Sequence, residues 1–484
     1  MQRGDEITLT LESAAFEGKT IAHMDGLVVF VRGGVPGDTG TVRLTKIKKQ
    51  FLEADFTRLI HPSPDRVPAP CKHFGVCGGC KWQQLSYPVQ IAYKRQHVLD
   101  ALERIGGFRG IEVLPTVGAE RTLFYRNKME FSFGARWRST SEMLGGADTG
   151  RVQAEGNDGT ITDWALGLHI PERFDRVLDV DSCLLQSETS TRIVNLTRQF
   201  ARERGLTVYS TKSHTGYLRN LVVRESRHTG ERMVNLVTSD DRPDLVSDYA
   251  AQLLNELPSI TTIVNNITER KSQVAVGEYE KVYHGPGSIM EMIGRRKYRI
   301  SANSFFQTNT EQAERLYEVV RSMAGLSGHE VVFDLYSGTG SIALHLADQA
   351  QEVVGIESVP QAVEDAHRNA DFNGVGNCTF LLGDLKDRLT KDASWRASHP
   401  DPHVVILDPP RSGMHEAVTR QVLTLGAQRI VYVSCNPTTQ ARDLKILTES
   451  GTYAIRQVQP LDMFPHTYHI ENVVLLARTT DQAH

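Results

Sequence analysis

The sequence predicts a multidomain α/β protein with a small N-terminal β-barrel, a central α+β region and a C-terminal doubly wound, mostly parallel sheet. Three observations carry that prediction. Residues 6–60 alternate apolar and polar positions in the strand manner, as in Ile7-Thr-Leu-Thr-Leu11, Leu27-Val-Val-Phe-Val31 and Gly40-Thr-Val-Arg-Leu44, with glycine turns at Gly33-Gly34 and Gly37. The final third instead spaces apolar runs (Val331-Val-Phe-Asp-Leu, Val353-Val-Gly-Ile, Val404-Val-Ile-Leu-Asp, Ile430-Val-Tyr-Val) by helical stretches, the order that builds a parallel sheet. At 484 residues, 40% of them hydrophobic, the chain has material for two to four cores, which excludes disorder, collagen and coiled coil.

The barrel is expected over residues 1–65. Arg43, Lys46, Lys48 and Lys49 form a basic cluster on it, which reads equally as a solvated face or as a sequence-tolerant contact with a nucleic-acid backbone. A proline-rich linker over residues 61–70 closes it. The central region runs to about residue 300 and opens with a helix from Tyr87 that stops at Gly106-Gly107, where Val89, Ala92, Tyr93, Val98, Leu99 and Leu102 recur at helical spacing. Between residues 90 and 138 nine Lys/Arg face five acids, interleaved with Phe124, Tyr125, Phe131, Phe133 and Trp137. Basic plus aromatic is the composition of an RNA-facing surface, although most of these aromatics are expected to alternate inward. Residues 139–163, polar and rich in Gly and Asp, read as a mobile insertion. The doubly wound domain takes residues 301–484.

Charge and cysteine usage bound the setting. With 54 Lys+Arg against 58 Asp+Glu the formal charge is -4, so a nucleic-acid partner must be met by local basic surface. Six cysteines make no secreted disulfide framework, the start lacks the apolar core of a signal peptide, and no segment approaches the roughly 20 apolar residues of a membrane span. The expectation is a cytoplasmic protein with no membrane partner.

The motifs concentrate in the last domain. Asp334-Leu-Tyr-Ser-Gly-Thr-Gly340 is a glycine-rich turn between a buried strand and a helix beginning near Ser341, where glycine lets backbone approach a ligand. Glu357 ends the next strand, at the position that grips a ribose diol in such folds; Asp384 ends a third and Asp408, in Asp408-Pro-Pro-Arg411, a fourth. Acids at four successive strand ends match the layout of S-adenosylmethionine methyltransferases. Arg411 stands where amino-group methyltransferases usually carry an aromatic residue. Cys435, in Tyr432-Val-Ser-Cys-Asn-Pro437, follows a further strand in a polar turn, a setting for a reactive thiol rather than an inert core cysteine. Separately, Cys71, Cys77 and Cys80 in Cys71-Lys-His-Phe-Gly-Val-Cys77-Gly-Gly-Cys80, with Cys183 downstream, supply four thiolates that suit zinc or a 4Fe-4S cluster alike.

Across essentially its whole length the chain resembles the iron-sulfur RNA uracil-5 methyltransferases that modify 23S ribosomal RNA. The resemblance rests on the Cys71–Cys80 segment, Tyr125-Arg-Asn-Lys-Met-Glu-Phe-Ser-Phe133, Asn303-Ser-Phe-Phe-Gln307, Asp334–Gly340, Asp408–Arg411, Ser434–Pro437 and Leu461-Asp-Met-Phe-Pro-His-Thr-Tyr-His-Ile-Glu471. It implies an N-terminal TRAM barrel of the oligonucleotide-binding type, a Rossmann-like methyltransferase domain, and a structural 4Fe-4S cluster on Cys71, Cys77, Cys80 and Cys183. It implies a covalent route in which Cys435 adds to C6 of uracil and Glu471 removes the C5 proton. For S-adenosyl-L-methionine it implies Gln307, Tyr336, Glu357, Asp384 and Asp408, with Gly338 and Gly340 shaping the turn and Ser341 replacing an asparagine. Ser337 stands where many relatives have cysteine. Phe305 resembles the aromatic that stacks on the flipped base. The expected product is 5-methyluridine in 23S rRNA, made by a monomer. The competing readings are a tRNA uracil-5 methyltransferase, against which the barrel and the cluster count, and a noncatalytic RNA-binding protein, against which intact Cys435 and Glu471 count.

Overall fold

The computed structural model describes residues 1–138, 159–271, 275–392 and 394–479; of the insertion expected over 139–163, residues 139–158 lie outside the described residues. Contacts divide the chain into two compact units, the first made of residues 1–70, 80–120 and 311–484 and the second of residues 71–79 and 121–310. The segment 80–120, central by chain order, therefore folds with the two ends of the chain.

In the first unit the N-terminal strands β1 (Glu6–Thr10), β2 (Ser13–Ala14), β3 (Thr20–Met24), β4 (Leu27–Arg32), β5 (Thr39–Ile47) and β6 (Phe51–His61) form one sheet in the order β1-β5-β6-β4-β3-β2. Alternation turns Val29, Val31, Val42, Leu44, Leu52 and Ala54 inward with Leu11. Register shifts at three places between β5 and β6 are bulges that let these long strands bend. The basic cluster is partly neutralised, because Arg43 pairs with Glu6 and Lys46 with Glu53, each at 2.9 Å, whereas Lys48 and Lys49 are exposed in the β5–β6 turn.

The second unit carries β7 (Lys128–Ala135), β8 (Trp164–Ile170), β9 (Arg173–Asp179), β10 (Leu218–Glu225), β11 (Arg232–Thr238), β12 (Thr262–Ile267) and β13 (Tyr279–His284) as a sheet ordered β13-β12-β11-β10-β7-β8-β9, followed by the hairpin β14 (Ser288–Ile293) and β15 (Arg296–Ser301). The helices Glu188–Glu203 and Pro243–Glu256 bring Ile193, Phe200, Tyr249 and Leu253 into one core with Phe131 and Phe133. The inward aromatics expected from the alternation are thus found here.

The remaining strands of the first unit are β16 (Val331–Leu335), β17 (Glu352–Glu357), β18 (Cys378–Leu382), β19 (Val404–Leu407), β20 (Arg429–Ser434), β21 (Tyr453–Leu461) and β22 (Glu471–Arg478), ordered β18-β17-β16-β19-β20-β22-β21. β16 to β20 are parallel; β22 runs antiparallel to both β20 and β21. The helix Tyr87–Ala101 packs on this domain, continues as one π turn over Leu102–Gly106, and stops where Gly107 turns left-handed at φ +77°. Its buried face differs from the apolar spacing read in the sequence, since Gln90, Lys94 and His97 are buried too. Lys94, counted above among the basic residues of an RNA-facing surface, is fully buried against Asp462 and does not belong to that surface.

Candidate active site

Parallel strands bring their carboxyl ends to one edge of a doubly wound sheet, the edge where such folds bind ligands. After β16 the chain makes the glycine-rich turn. Tyr336 takes φ +72°, left-handed backbone that strains a bulky residue by roughly 1–3 kcal/mol, and Gly338 and Gly340 follow at φ +54° and +76°. A side chain at Gly340 would meet the Phe380 ring at 2.7 Å, whereas the space over Gly338 is open for at least 4 Å. Glu357 ties the turn down: Oε2 accepts the Gly338 N–H at 3.0 Å, and Oε1 accepts the Ser358 and Val359 N–H groups at 2.7 and 2.9 Å. Asp384, exposed, caps the helix Leu385–Thr390 by accepting the Lys386 N–H at 2.9 Å. The Ser341 hydroxyl lies 2.8 Å from that of the buried Tyr317. Burial, with Asp443 and Asp384 adding, pushes the Tyr336 phenol up to about 12.

Asp408 follows β19 and Cys435 follows β20. The register pairs Ser434 of β20 with Asn472 of β22, so Cys435 and Glu471 are the residues just past this last pair, close enough for the Glu471 carboxyl to act on the thiol. Short bonds hold the turns: Asn436 caps the helix Pro437–Thr448, its amide donates to the Arg411 carbonyl at 3.1 Å, and the Thr439 hydroxyl reaches the same carbonyl at 3.3 Å. On that helix the buried Asp443 accepts the Tyr432 hydroxyl at 2.7 Å and the Met414 N–H at 2.9 Å, which fastens the loop after Asp408 to strand β20.

Electrostatically the edge is a cluster of buried acids. Burial, then the neighbouring Asp408, pushes Asp334 up to about 7; burial alone does the same to Asp408. Glu471 is raised well above the ordinary carboxylate range by burial and by Asp408. Asp334 accepts the Ala343 N–H at 3.1 Å through Oδ2, while its buried Oδ1 has no hydrogen-bond partner. Such a set suits a cationic ligand, whose charge would stabilise all three carboxylates. The Cys435 thiol is pushed up to about 11 by burial, then by Glu471 and Asp408, with Arg411 opposing.

The remaining predicted site residues lie elsewhere in the chain. Phe305 and Gln307 belong to the second unit, where the Phe305 side chain is 70% exposed and so is no core residue; its neighbour Phe306 fills the core against Tyr298. The Gln307 carbonyl accepts from the Asn127 amide at 2.8 Å. Cys71, Cys77 and Cys183 fall in the second unit and Cys80 in the first; all four are half-buried. Burial raises Cys183, and Cys71 adds to it. Among the described residues no group of three or more His, Cys, Asp or Glu side chains is arranged to hold a metal ion. Sequence reasoning missed Tyr317 and Asp443, which lie within helices and carry no local motif; only their burial beside the site reveals them.

Known proteins can now be compared. A family model described as tRNA (Uracil-5-)-methyltransferase matches residues 287–479, and one described as TRAM domain matches residues 1–57. An uncharacterized RNA methyltransferase of Bacteroides thetaiotaomicron is 42% identical over 466 residues, 96% of this chain and 99% of its own. The chain belongs to this RNA (uracil-5-)-methyltransferase family. A relative from Chlorobaculum tepidum, also named an uncharacterized RNA methyltransferase, is 42% identical over 99% of this chain and 97% of its own. Among solved structures, the Pyrococcus abyssi tRNA (uracil-54, C5)-methyltransferase in complex with S-adenosyl-L-homocysteine matches with a TM-score of 0.72 at 28% identity, covering 97% of this chain and 100% of that one. Among the described residues no helix is long and apolar enough to cross a membrane.

The raised Cys435 thiol makes a direct prediction. In the free protein at pH 8, iodoacetamide should label Cys435 about a hundredfold more slowly than an ordinary exposed thiol, and the rate should keep climbing beyond pH 10. Peptide mass spectrometry reads it; near-full reactivity at pH 8 would contradict the electrostatics described above.

Proposed function

We propose that this protein methylates C5 of uracil in RNA, with S-adenosyl-L-methionine as methyl donor, Cys435 as nucleophile and Glu471 as base. The observation that carries the reading is the strand register that makes Cys435 and Glu471 neighbours at the edge holding Asp408 and the glycine turn. The residues fit the cofactor: open space over Gly338, the unpartnered Asp334 Oδ1 and the buried carboxyl cluster suit a ligand bearing a sulfonium and an ammonium charge. When bound, S-adenosyl-L-methionine supplies an electrophilic methyl group. Tyr336, Glu357, Asp384, Asp408, Ser341 and Gln307 would hold it.

C5 of uracil is too weak a nucleophile to take a methyl group unaided. The Cys435 thiolate adds to C6, forming the S–C6 bond and driving the ring π electrons into an enolate that is nucleophilic at C5, where the bound donor would supply its methyl group as the carbon–sulfonium bond breaks and leaves a neutral thioether. Glu471 then takes the C5 proton, the C5–C6 double bond re-forms, and the S–C6 bond breaks to release the thiolate. Phe305 would stack on the base once it leaves the RNA stack. In the free protein burial makes both Cys435 and Glu471 hold their protons more tightly than usual, and positive charge entering beside Asp408 would ease the loss of both.

The proposed substrate is 23S rRNA, met in the cytoplasm by a monomer, with Lys48 and Lys49 on the barrel touching the RNA backbone. A second reading, tRNA, is favoured by the Pyrococcus abyssi neighbour: coverage of 97% of this chain leaves too few residues unmatched to exclude the barrel, so a barrel does not argue against tRNA. Mapping 5-methyluridine in rRNA and tRNA from cells lacking the gene decides between them.

We also assign Cys71, Cys77, Cys80 and Cys183 to a structural 4Fe-4S cluster. What supports the reading is the donor set itself, four cysteine sulfurs, with Cys71 raising the Cys183 thiol in a way that a bound cation would relieve. The cluster would staple the loops that carry the cysteines and takes no part in the methylation steps. Anaerobically purified protein should hold about four iron and four sulfide per chain; stoichiometric zinc without sulfide would overturn the assignment.

Two further outcomes test the chemistry. Cys435→Ala should abolish methylation and any covalent RNA complex, whereas Glu471→Gln should still form the adduct and accumulate it as a denaturation-resistant band; normal turnover by Glu471→Gln would remove it as the base. Because Asp334 and Asp408 sit near 7 in the free protein and must ionise to meet a cation, affinity for S-adenosyl-L-methionine should rise between pH 6 and pH 8, by about tenfold for each carboxyl that must lose its proton. Calorimetry should record proton release on binding near pH 6, and a pH-independent affinity would count against the cluster as the cation site.

A further inference from the structure

Residues 462–470 join β21 to β22 and deliver Glu471 to the sheet edge, where it pairs with Leu461. Connecting segments normally run over the surface, because their backbone groups need water. This one is largely buried: Asp462 and Met463 are fully covered, His466 and Thr467 nearly so. It also holds His466 at φ +65°, a left-handed backbone uncommon for any residue but glycine.

The support comes from one face of the helix Tyr87–Ala101 and the residues leading into it. Gln90 is bidentate to His466, its Oε1 accepting the His466 N–H at 2.9 Å and its Nε2 lying 3.2 Å from His466 Nδ1. The His466 carbonyl accepts the N–H groups of Lys81 and Trp82 at 2.9 and 3.0 Å. One turn along the helix, the Lys94 ammonium, with no exposure, pairs with the equally buried Asp462 and donates to the Phe464 carbonyl at 3.1 Å. One turn the other way, the Tyr87 hydroxyl donates to the second Asp462 oxygen at 2.9 Å and accepts the Ala119 N–H at 2.6 Å. Positions 87, 90 and 94 are spaced as one helical face, so a single rigid element satisfies an otherwise unsatisfiable buried loop.

We propose that Tyr87, Gln90 and Lys94 are positioning residues for the reaction: they set the path of residues 462–470 and thereby the place of the Glu471 carboxylate beside Cys435. The inference rests on the reading of Glu471 as the base. A buried ion pair is weak evidence for stability in itself, because desolvation offsets much of its attraction; what it does supply is a unique arrangement, which is what a proton transfer at fixed distance needs. The step affected is the late one. C6 addition by Cys435 depends on β20 and the Asn436 turn, so it should survive displacement of the loop.

The test uses the full-length protein carrying Lys94→Met, or Tyr87→Phe, which removes one hydroxyl and keeps the packing should the first variant fail to fold. Hydrogen exchange should speed up about tenfold in peptides spanning 462–472 and stay within about twofold elsewhere. In single-turnover reactions the covalent RNA adduct should form within about threefold of the normal rate and break down about tenfold more slowly. Unchanged exchange over 462–472 in a folded variant overturns the positioning role, as does an equal fall in adduct formation and breakdown, which would mark a general structural defect. Glu471→Gln runs in parallel: if it fails to trap the adduct, the base assignment falls by itself, and the exchange measurement still judges whether this helix face places the loop.

Discussion

The site depends on one reversal of strand direction. Five parallel strands put their carboxyl ends, and with them Asp334, Glu357, Asp384, Asp408 and Cys435, at one edge of the sheet. β22 runs the other way, inserted antiparallel between β20 and β21, and its register brings Glu471 to the same edge. Because successive residues of a strand face opposite sides, a slip of one position would turn Glu471 away from the thiol. Val473, Val474 and Leu476 lie in the core, and the Asn472 amide donates to the Gln440 side chain at 2.7 Å, which holds β22 in this register.

Gathering acids at that edge works against folding. Asp334 and Glu471 are buried and Asp408 half-buried, and their raised carboxyl groups report the cost of desolvation, to which repulsion by Asp408 adds at Asp334 and Glu471. Tyr336 adds backbone strain in the same turn. A fold selected only for stability would place none of these features there. Their concentration at one sheet edge, beside a half-buried cysteine, is the physical mark of a site prepared for a charged ligand.

Around the edge the scaffold is unusually polar inside. Asp443 binds the Asp408 loop to β20, and the helix Tyr87–Ala101 carries Gln90, Lys94 and His97 into the interior. His97 reaches the Ala14 carbonyl at 3.0 Å in the N-terminal sheet, and Phe16 stacks edge-on to Tyr468 at 6.0 Å, so the barrel touches the segment that precedes Glu471. Ala14, Val35, Trp82 and Leu85 form a small separate core at this contact. The N-terminal domain therefore also braces the doubly wound domain of its own unit, a role that composition alone does not announce.

The sequence by itself determined the class of fold, because periodicity is local: alternation over residues 6–60 and the strand-helix rhythm after residue 330 need no knowledge of what packs on what. It equally determined the glycine turn, the strand-end acids and the polar cysteine turn, each written in fewer than ten consecutive residues. Tertiary structure alone decided that segment 80–120 folds with the catalytic domain, that Lys94 is buried rather than RNA-facing, that Phe305 is exposed while Phe306 is core, and that Asp443 and Tyr317 stand beside the site. The physical reason is common to all four. Whether a polar or aromatic side chain on a helix or loop meets water or a partner depends on groups in other elements, as Lys94 does on Asp462 and Tyr317 on Ser341, and no local pattern encodes which elements meet.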